Sequence, residues 1–212
     1  MSVKRIVGVF LGILLIFGCV LYAGCSRSDD RQTQEQTPAV FMKVPLARQA
    51  SSYTCGVATL QSILAYNGFH YRQDVLSTEV GATYADGTNY KAIVASLQKR
   101  DIGAEFREDM SLDELKDYLA SDQPVICMIQ AWNDKEGFDY ANGWDDGHYV
   151  IAIGYDDEKI YFMDPSILGN YAYLTNDEFE ARWHDESGGE QYRNAGIVVT
   201  NTNPSYDPSE FK

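Results

Sequence analysis

The chain has 212 residues, with 31 acidic against 17 basic side chains, a formal net charge of −14 and 45% hydrophobic residues. That balance supports a buried core and excludes nucleic acid as a partner, because there is no basic patch to displace phosphate counterions. An acidic, soluble surface accounts for the charge without a further binding role.

At the N-terminus, Lys4-Arg5 are followed by no charged residue until Arg27. The length of this apolar run fits a long signal peptide or a short membrane span. It ends in Leu21-Tyr22-Ala23-Gly24-Cys25, which resembles a bacterial lipoprotein cleavage box. The resemblance implies that residues 1–24 leave as a signal peptide and that a diacylated Cys25 becomes the mature N-terminus, holding the chain to a membrane through its lipid. Tyr22 departs from the usual pattern, so an uncleaved anchor helix is the alternative. Both readings put the rest of the chain outside the cytoplasm, in a bacterial cell envelope. Residues 25–40 are polar and read as a tether.

Residues 41–200 fit one domain. Its first candidate is Gln49, in the segment Arg48-Gln49-Ala50-Ser51-Ser52-Tyr53-Thr54, which has little helical or strand periodicity. A Gln amide there suits an oxyanion donor working with the backbone N–H of Cys55, although a glutamine alone is usually an ordinary loop residue. Thr54 is read as an N-cap. Val57, Leu60, Ile63 and Leu64 then recur at helical spacing until Asn67-Gly68 supplies a stop, which predicts a helix over Cys55–Tyr66 that buries one face. Cys55 at its tip would meet free N–H groups and the positive end of the helix dipole, which favour a thiolate. A small, packed core cysteine is the plainer alternative.

His70 follows in a turn-like stretch. A short helix near Arg72–Thr78, a helix over Asn89–Arg100 and another over Leu112–Ser121 come next, the last supported by a capping box of Ser111 and Glu114. The apolar strand Val125–Gln130 holds Cys127, read as a packed, inert thiol; a Cys55–Cys127 disulfide is the rival and would need a narrow bridging geometry. Residues 134–146, rich in Asp, Asn and Gly, lack the alternating ligand spacing of an EF-hand and read as a solvated loop bordering a cleft. Three histidines without a close pair argue against zinc, so neither a metal nor a cofactor is expected.

His148 opens the apolar run Tyr149-Val150-Ile151-Ala152-Ile153-Gly154, a predicted strand over Tyr149–Tyr155. A base at the end of a strand is held rigidly beside a cleft. The strand Lys159–Met163 follows a turn and ends at Asp164-Pro165. In a hairpin the end of the second strand returns to the start of the first, so Asp164 is expected beside His148, fixing the tautomer of its ring. A turn-forming Asp-Pro is the alternative for Asp164. His184, in the polar run Trp183-His184-Asp185-Glu186, is no better placed to be buried than His70. A strand over Gly196–Thr200 closes the domain, and residues 201–212 read as a loose tail. Helices first and a mainly antiparallel sheet second make the fold α+β.

The order Gln49, Cys55-Gly56, Gly147-His148-Tyr149-Val150 and Asp164-Pro165 resembles the bacteriocin-processing, double-glycine leader cysteine peptidases of the papain-like clan. The resemblance runs from about Val44 to Val199 and takes in Gly87-Thr88-Asn89, the strand-like Pro124 to Gln130, and Glu178-Phe179 with Trp183. It implies a papain-like fold with N-terminal helices packed on a mainly antiparallel sheet, and a peptide or protein substrate. It makes Cys55 the nucleophile, His148 the general base, Asp164 its orienter and Gln49 the oxyanion donor. Members often carry an acidic residue where this chain has Thr54, and the best-known ones are fused to a transporter. The expectation here is a monomeric, stand-alone lipoprotein version that cleaves a peptide bond through a thioester. An acyltransferase using the same triad and a catalytically silent peptide-binding domain are the alternatives.

Overall fold

The computed structural model describes residues 38–206 apart from Asp134 and Leu168. The expected signal peptide, Cys25 and nearly all of the tether lie outside these residues. Nine strands and five helices are described, in the order β1 (Val40–Phe41), α1 (Cys55–Tyr66), α2 (Gln73–Val80), α3 (Tyr90–Gln98), β2 (Gly103–Arg107), α4 (Leu112–Ala120), β3 (Val125–Gln130), β4 (Gly147–Tyr155), β5 (Lys159–Met163), β6 (Ala172–Thr175), α5 (Asn176–Arg182), β7 (His184–Ser187), β8 (Glu190–Arg193) and β9 (Gly196–Thr200).

One sheet runs β2-β9-β3-β4-β5-β6, with β1 added to β4 and every pairing antiparallel; β7 and β8 form a separate hairpin. The residue patterns explain the layout. All six side chains of β3 are buried, as are seven successive residues of β4 from His148 to Gly154, so these central strands are covered on both faces. β6 at the edge alternates between half-buried and exposed positions, the pattern of a strand with one wet face.

Helix α1 is more enclosed than a one-sided amphipathic reading predicts. Ten of its twelve residues are buried, leaving only Gln61 and Ala65 partly open, because α2 and α3 pack on it from one side and β4 from the other. Gly56 makes the close approach possible, since a Cβ there would lie 2.7 Å from Thr88 Cβ. The capping box of Ser111 and Glu114 forms at α4, and a second one, Thr175 with Glu178, starts α5. Phe179 and Trp183 stack at 4.6 Å and Phe179 meets Phe162 at 5.3 Å, which seats α5 against the sheet. Beyond β9, where composition suggests a loose tail, the N–H of Asn203 donates to Asn67 Oδ1 and that of Ser205 to Tyr66 O, tying this segment to the end of α1.

Candidate active site

The site begins at the tip of α1. Thr54 occupies the N-cap position without capping: its hydroxyl donates to Ser51 O at 3.1 Å and accepts from Ser51 N–H at 3.0 Å. Its ψ of 23° turns the residue into the tight 51–54 turn, away from the extended conformation that a side-chain cap needs. Cys55 is therefore the first helical residue on a rigid turn, 9% exposed and a free thiol; Cys127 is also free and fully buried in β3. Burial pushes the Cys127 thiol far above the ordinary range.

His148 is the second residue of β4, on the strand that packs against α1, and it is 5% exposed. Its Nε2 donates to Asp164 Oδ1 at 2.8 Å, which leaves Nδ1 as the ring nitrogen for Cys55. Burial disfavours the imidazolium. The Asp164 carboxylate and the Cys55 sulfur together outweigh that cost and hold the His148 pKa up at about 9. Near neutral pH the ring thus carries its proton, and an imidazolium is the counter-ion that a reactive thiolate requires.

Asp164 follows the last residue of β5, two positions beyond Phe162, which pairs with Ala172 of β6. The hairpin and turn readings of this residue turn out to describe one arrangement. Asp164 Oδ1 accepts the Ser166 N–H at 2.7 Å as well as the His148 ring, and Ile167 N–H donates to the Asp164 carbonyl at 3.1 Å. Gln49 is built into the same turn. Its N–H donates to Pro165 O at 3.0 Å, its Oε1 accepts from Ser166 Oγ at 3.1 Å, and its Nε2 donates to Ser51 O at 2.9 Å. One amide hydrogen is used in that last bond and one remains. Cys55, His148, Asp164 and Gln49 are thus brought together, with Ser166 as the pivot between Gln49 and Asp164. The sequence does not single out Ser166, whose only local signal is its place after a turn-forming Asp-Pro.

A second carboxylate stands behind the base. Asp185, on β7, is 7% exposed, and its carboxylate lies where a Cβ on Gly147 would fall, which explains why glycine precedes His148. Gln130, fully buried at the end of β3 and paired with Gly147, donates through Nε2 to Asp185 Oδ1 at 3.0 Å and accepts the Asp146 N–H at 3.0 Å. The junction that delivers His148 is therefore clamped from β3 and β7. Burial lifts the Asp185 carboxyl to about 7, against the Glu186 N–H, Gln130 and the positive charge of His148. From its ordinary value of 3.8 up to about 7, the folded protein binds a proton that the unfolded chain does not, so stability falls as pH rises through that window. Asp185→Asn keeps the shape and the Gln130 contact and removes the titration. Between pH 5 and pH 8 the wild type should lose on the order of 3 kcal/mol relative to this variant in thermal or urea unfolding; parallel stability curves would refute the assignment.

The other histidines have separate fates. His70 is exposed, whereas His184, expected at the surface, is 2% exposed. The polar run containing it folds as the β7–β8 hairpin and packs against β3 and β4. Its Nε2 donates to Gly143 O at 2.8 Å, its ring lies 4.5 Å from that of Trp144, and burial followed by the charge of Arg193 lowers its pKa. It is a neutral structural histidine that pins the loop before β4. Gln130 carried no sequence signal beyond a polar residue at the end of an apolar strand, and Asp185 none beyond its place in a polar run.

Comparison with known proteins matches the chain to a family. A family model described as "Peptidase_C39 like family" matches residues 41–190. The transport/processing ATP-binding protein ComA of Streptococcus pneumoniae is 29% identical over 138 residues, which cover 64% of this chain and 17% of that protein, so the chain spans about a sixth of that relative's length. A putative C39-like peptidase from Bacillus anthracis superposes with a TM-score of 0.57 at 20% identity, over 77% of this chain and 98% of that one. A double glycine motif protease from an AMS/PCAT transporter, solved in complex with a leader peptide, does so with a TM-score of 0.52 at 16% identity, over 77% and 98%. Those two structures share the fold: helices on an antiparallel sheet, as the sequence order suggests. With 150 consecutive positions matched by the family model, the chain belongs to the Peptidase_C39 like family and is a cysteine peptidase of papain-like, α+β fold.

Proposed function

We propose that the protein hydrolyses a peptide bond of a peptide or protein substrate through a Cys55 thioester, with His148, Asp164 and Gln49 in the supporting roles. The observation that carries this reading is the buried His148 ring, bonded to Asp164 through one nitrogen and facing Cys55 with the other. In the first step the Cys55 sulfur bonds to the carbonyl carbon and the carbonyl π pair moves onto oxygen. The remaining Gln49 amide hydrogen and the backbone N–H of Cys55, a first-turn donor, receive that oxyanion. His148 gives its proton to the leaving nitrogen, the C–N bond breaks, and a thioester and a free amine result. A water molecule, deprotonated by His148, then attacks the thioester carbonyl, the C–S bond breaks, and the carboxylic acid leaves as the Cys55 thiolate and the His148 imidazolium are restored. A peptide is the substrate class supported by the leader-peptide complex of the double glycine motif protease, which shares this fold.

Iodoacetamide tests the nucleophile directly. Near neutral pH it should alkylate Cys55 much faster than Cys127, whose thiol is fully buried in the sheet, and loss of peptide hydrolysis should track labelling of Cys55 alone. Equal, slow labelling of both thiols would sink the mechanism.

The same reading places the enzyme at a bacterial membrane facing away from the cytoplasm, on a lipid at Cys25, with residues 1–24 removed and residues 25–40 as tether. Leu21-Tyr22-Ala23-Gly24-Cys25 and the apolar run before it support this. Cys25→Ala should abolish lipid labelling; a mature chain that starts elsewhere without lipid would refute it.

A further inference from the structure

A cavity of about 420 Å³ lies beside the Asp164 end of the site, with Asp164 itself in its wall. Its floor is apolar and comes from one face of the sheet: Ile129, Val150, Phe162 and Ala172. The register shows which face. Ile129 pairs with His148, Val150 stands two residues beyond His148 on the same strand, Phe162 pairs with Ala152, and Ala172 pairs with Phe162. Side chains two apart on a strand, or directly opposite on a neighbour, share a face. The cavity floor is therefore the continuation of the surface that carries the His148 ring.

Trp132 stands at the rim with half its surface open, and its φ of 69° puts a bulky side chain in the left-handed region. Such a conformation costs on the order of 1–3 kcal/mol and persists only where the surroundings enforce it. Here they do: Ala131 N–H donates to Asp146 O at 2.9 Å, Asn133 N–H to Tyr140 Oη at 3.1 Å, and Asn133 Nδ2 to Asp146 Oδ2 at 2.6 Å. The Arg182 guanidinium lies 3.6 Å above the Tyr140 ring, which braces the same wall. An exposed indole held in a strained backbone beside an apolar cavity is built to meet a ligand.

We propose that this cavity is the subsite for a large apolar side chain, aliphatic or aromatic, at the first or second residue on the leaving side of the scissile bond. The assignment rests on the hydrolytic reading, because the direction of proton transfer fixes the polarity of the substrate. The leaving nitrogen must face His148, so the segment attached to it passes over the His148 face of the sheet toward Asp164 and the cavity.

The test uses the full chain in two arms, with Ala172→Trp as the variant that fills the cavity from a half-buried edge strand. In the first arm, Phe-Ala-amide, Ala-Phe-amide and Gly-Ala-amide, which mimic the leaving fragment, are titrated into the Cys55→Ala protein and followed by NMR, with Trp132→Phe identifying its indole signal. One of the two Phe amides should bind about tenfold or more tighter than the Gly amide and shift the Trp132 indole, and Ala172→Trp should erase the difference. In the second arm, a peptide library is cleaved by the otherwise wild-type chain and the new N-termini are sequenced; large apolar residues should be enriched at one of the first two positions, and Ala172→Trp should remove that enrichment. Equal affinities, or a preference that survives Ala172→Trp, overturn the subsite. Cleavage without the preference would leave hydrolysis standing and remove the subsite, whereas the binding difference in a chain that cleaves nothing would keep the apolar site and remove the hydrolytic reading.

Discussion

Cys55→Ala and His148→Ala should each bring peptide hydrolysis close to background, and the double variant should be no worse than either alone, because a nucleophile and its base act as one unit and their losses do not add. The geometry behind this is specific. His148 is buried, and one of its two nitrogens is committed to Asp164 at 2.8 Å, so no second orientation of the ring serves Cys55. Asp164→Asn should keep the fold and the Ser166 N–H contact while losing activity substantially, since an amide neither stabilises the imidazolium nor enforces one tautomer. His70→Ala should leave the rate unchanged. His184→Ala should lower stability through the lost Gly143 bond and the packing on Trp144, with the rate of the remaining folded enzyme nearly intact. Rates at saturating substrate, measured beside urea unfolding curves, separate these cases. A folded but inactive His184→Ala together with an active His148→Ala would show that the base has been assigned to the wrong histidine.

Gln49→Ala should lower the rate at saturating substrate by on the order of 10²–10³, roughly 3–4 kcal/mol, with little change in KM, because an oxyanion donor is needed most once the carbonyl oxygen has become negative. Two hydrogen bonds orient the side chain before substrate arrives and a third, from the backbone N–H, holds the segment, so the donor is already in position and its remaining side-chain N–H is the one lost. Gln49→Glu offers a control of nearly the same shape: it replaces the donor with a negative charge and should fall at least as far. A Gln49→Ala enzyme with raised KM and unchanged maximal rate would mean that the residue holds the substrate's ground state instead.

Three of the four candidate site residues, Cys55, His148 and Asp164, stand out in the sequence because each sits at a boundary between two local patterns, whereas Gln49 lies in a segment without one. The helix Cys55–Tyr66 and the strands Val125–Gln130, Lys159–Met163 and Gly196–Thr200 have the bounds that apolar periodicity and turn residues predict. Those signals depend only on neighbours along the chain. From them follow a cysteine at a helix tip, a histidine at a strand start and an aspartate at the end of the next strand. What surrounds them did not follow. β2 pairs with β9, 89 to 97 residues further along the chain, β6 is only four residues long, and the β7–β8 hairpin is short and polar, so their own residues carry little periodicity. His184 and Asp185 are buried only because β7 lands against β3 and β4, where Gln130 and Gly147 receive the carboxylate. The cavity beside Asp164 likewise exists only where four strands come into register. The sequence by itself determined which residues end each element and therefore which chemistry the chain can present; the tertiary structure alone decided which polar groups stand behind that chemistry, because the burial of a polar side chain is set by the partner that satisfies it and not by its own hydropathy.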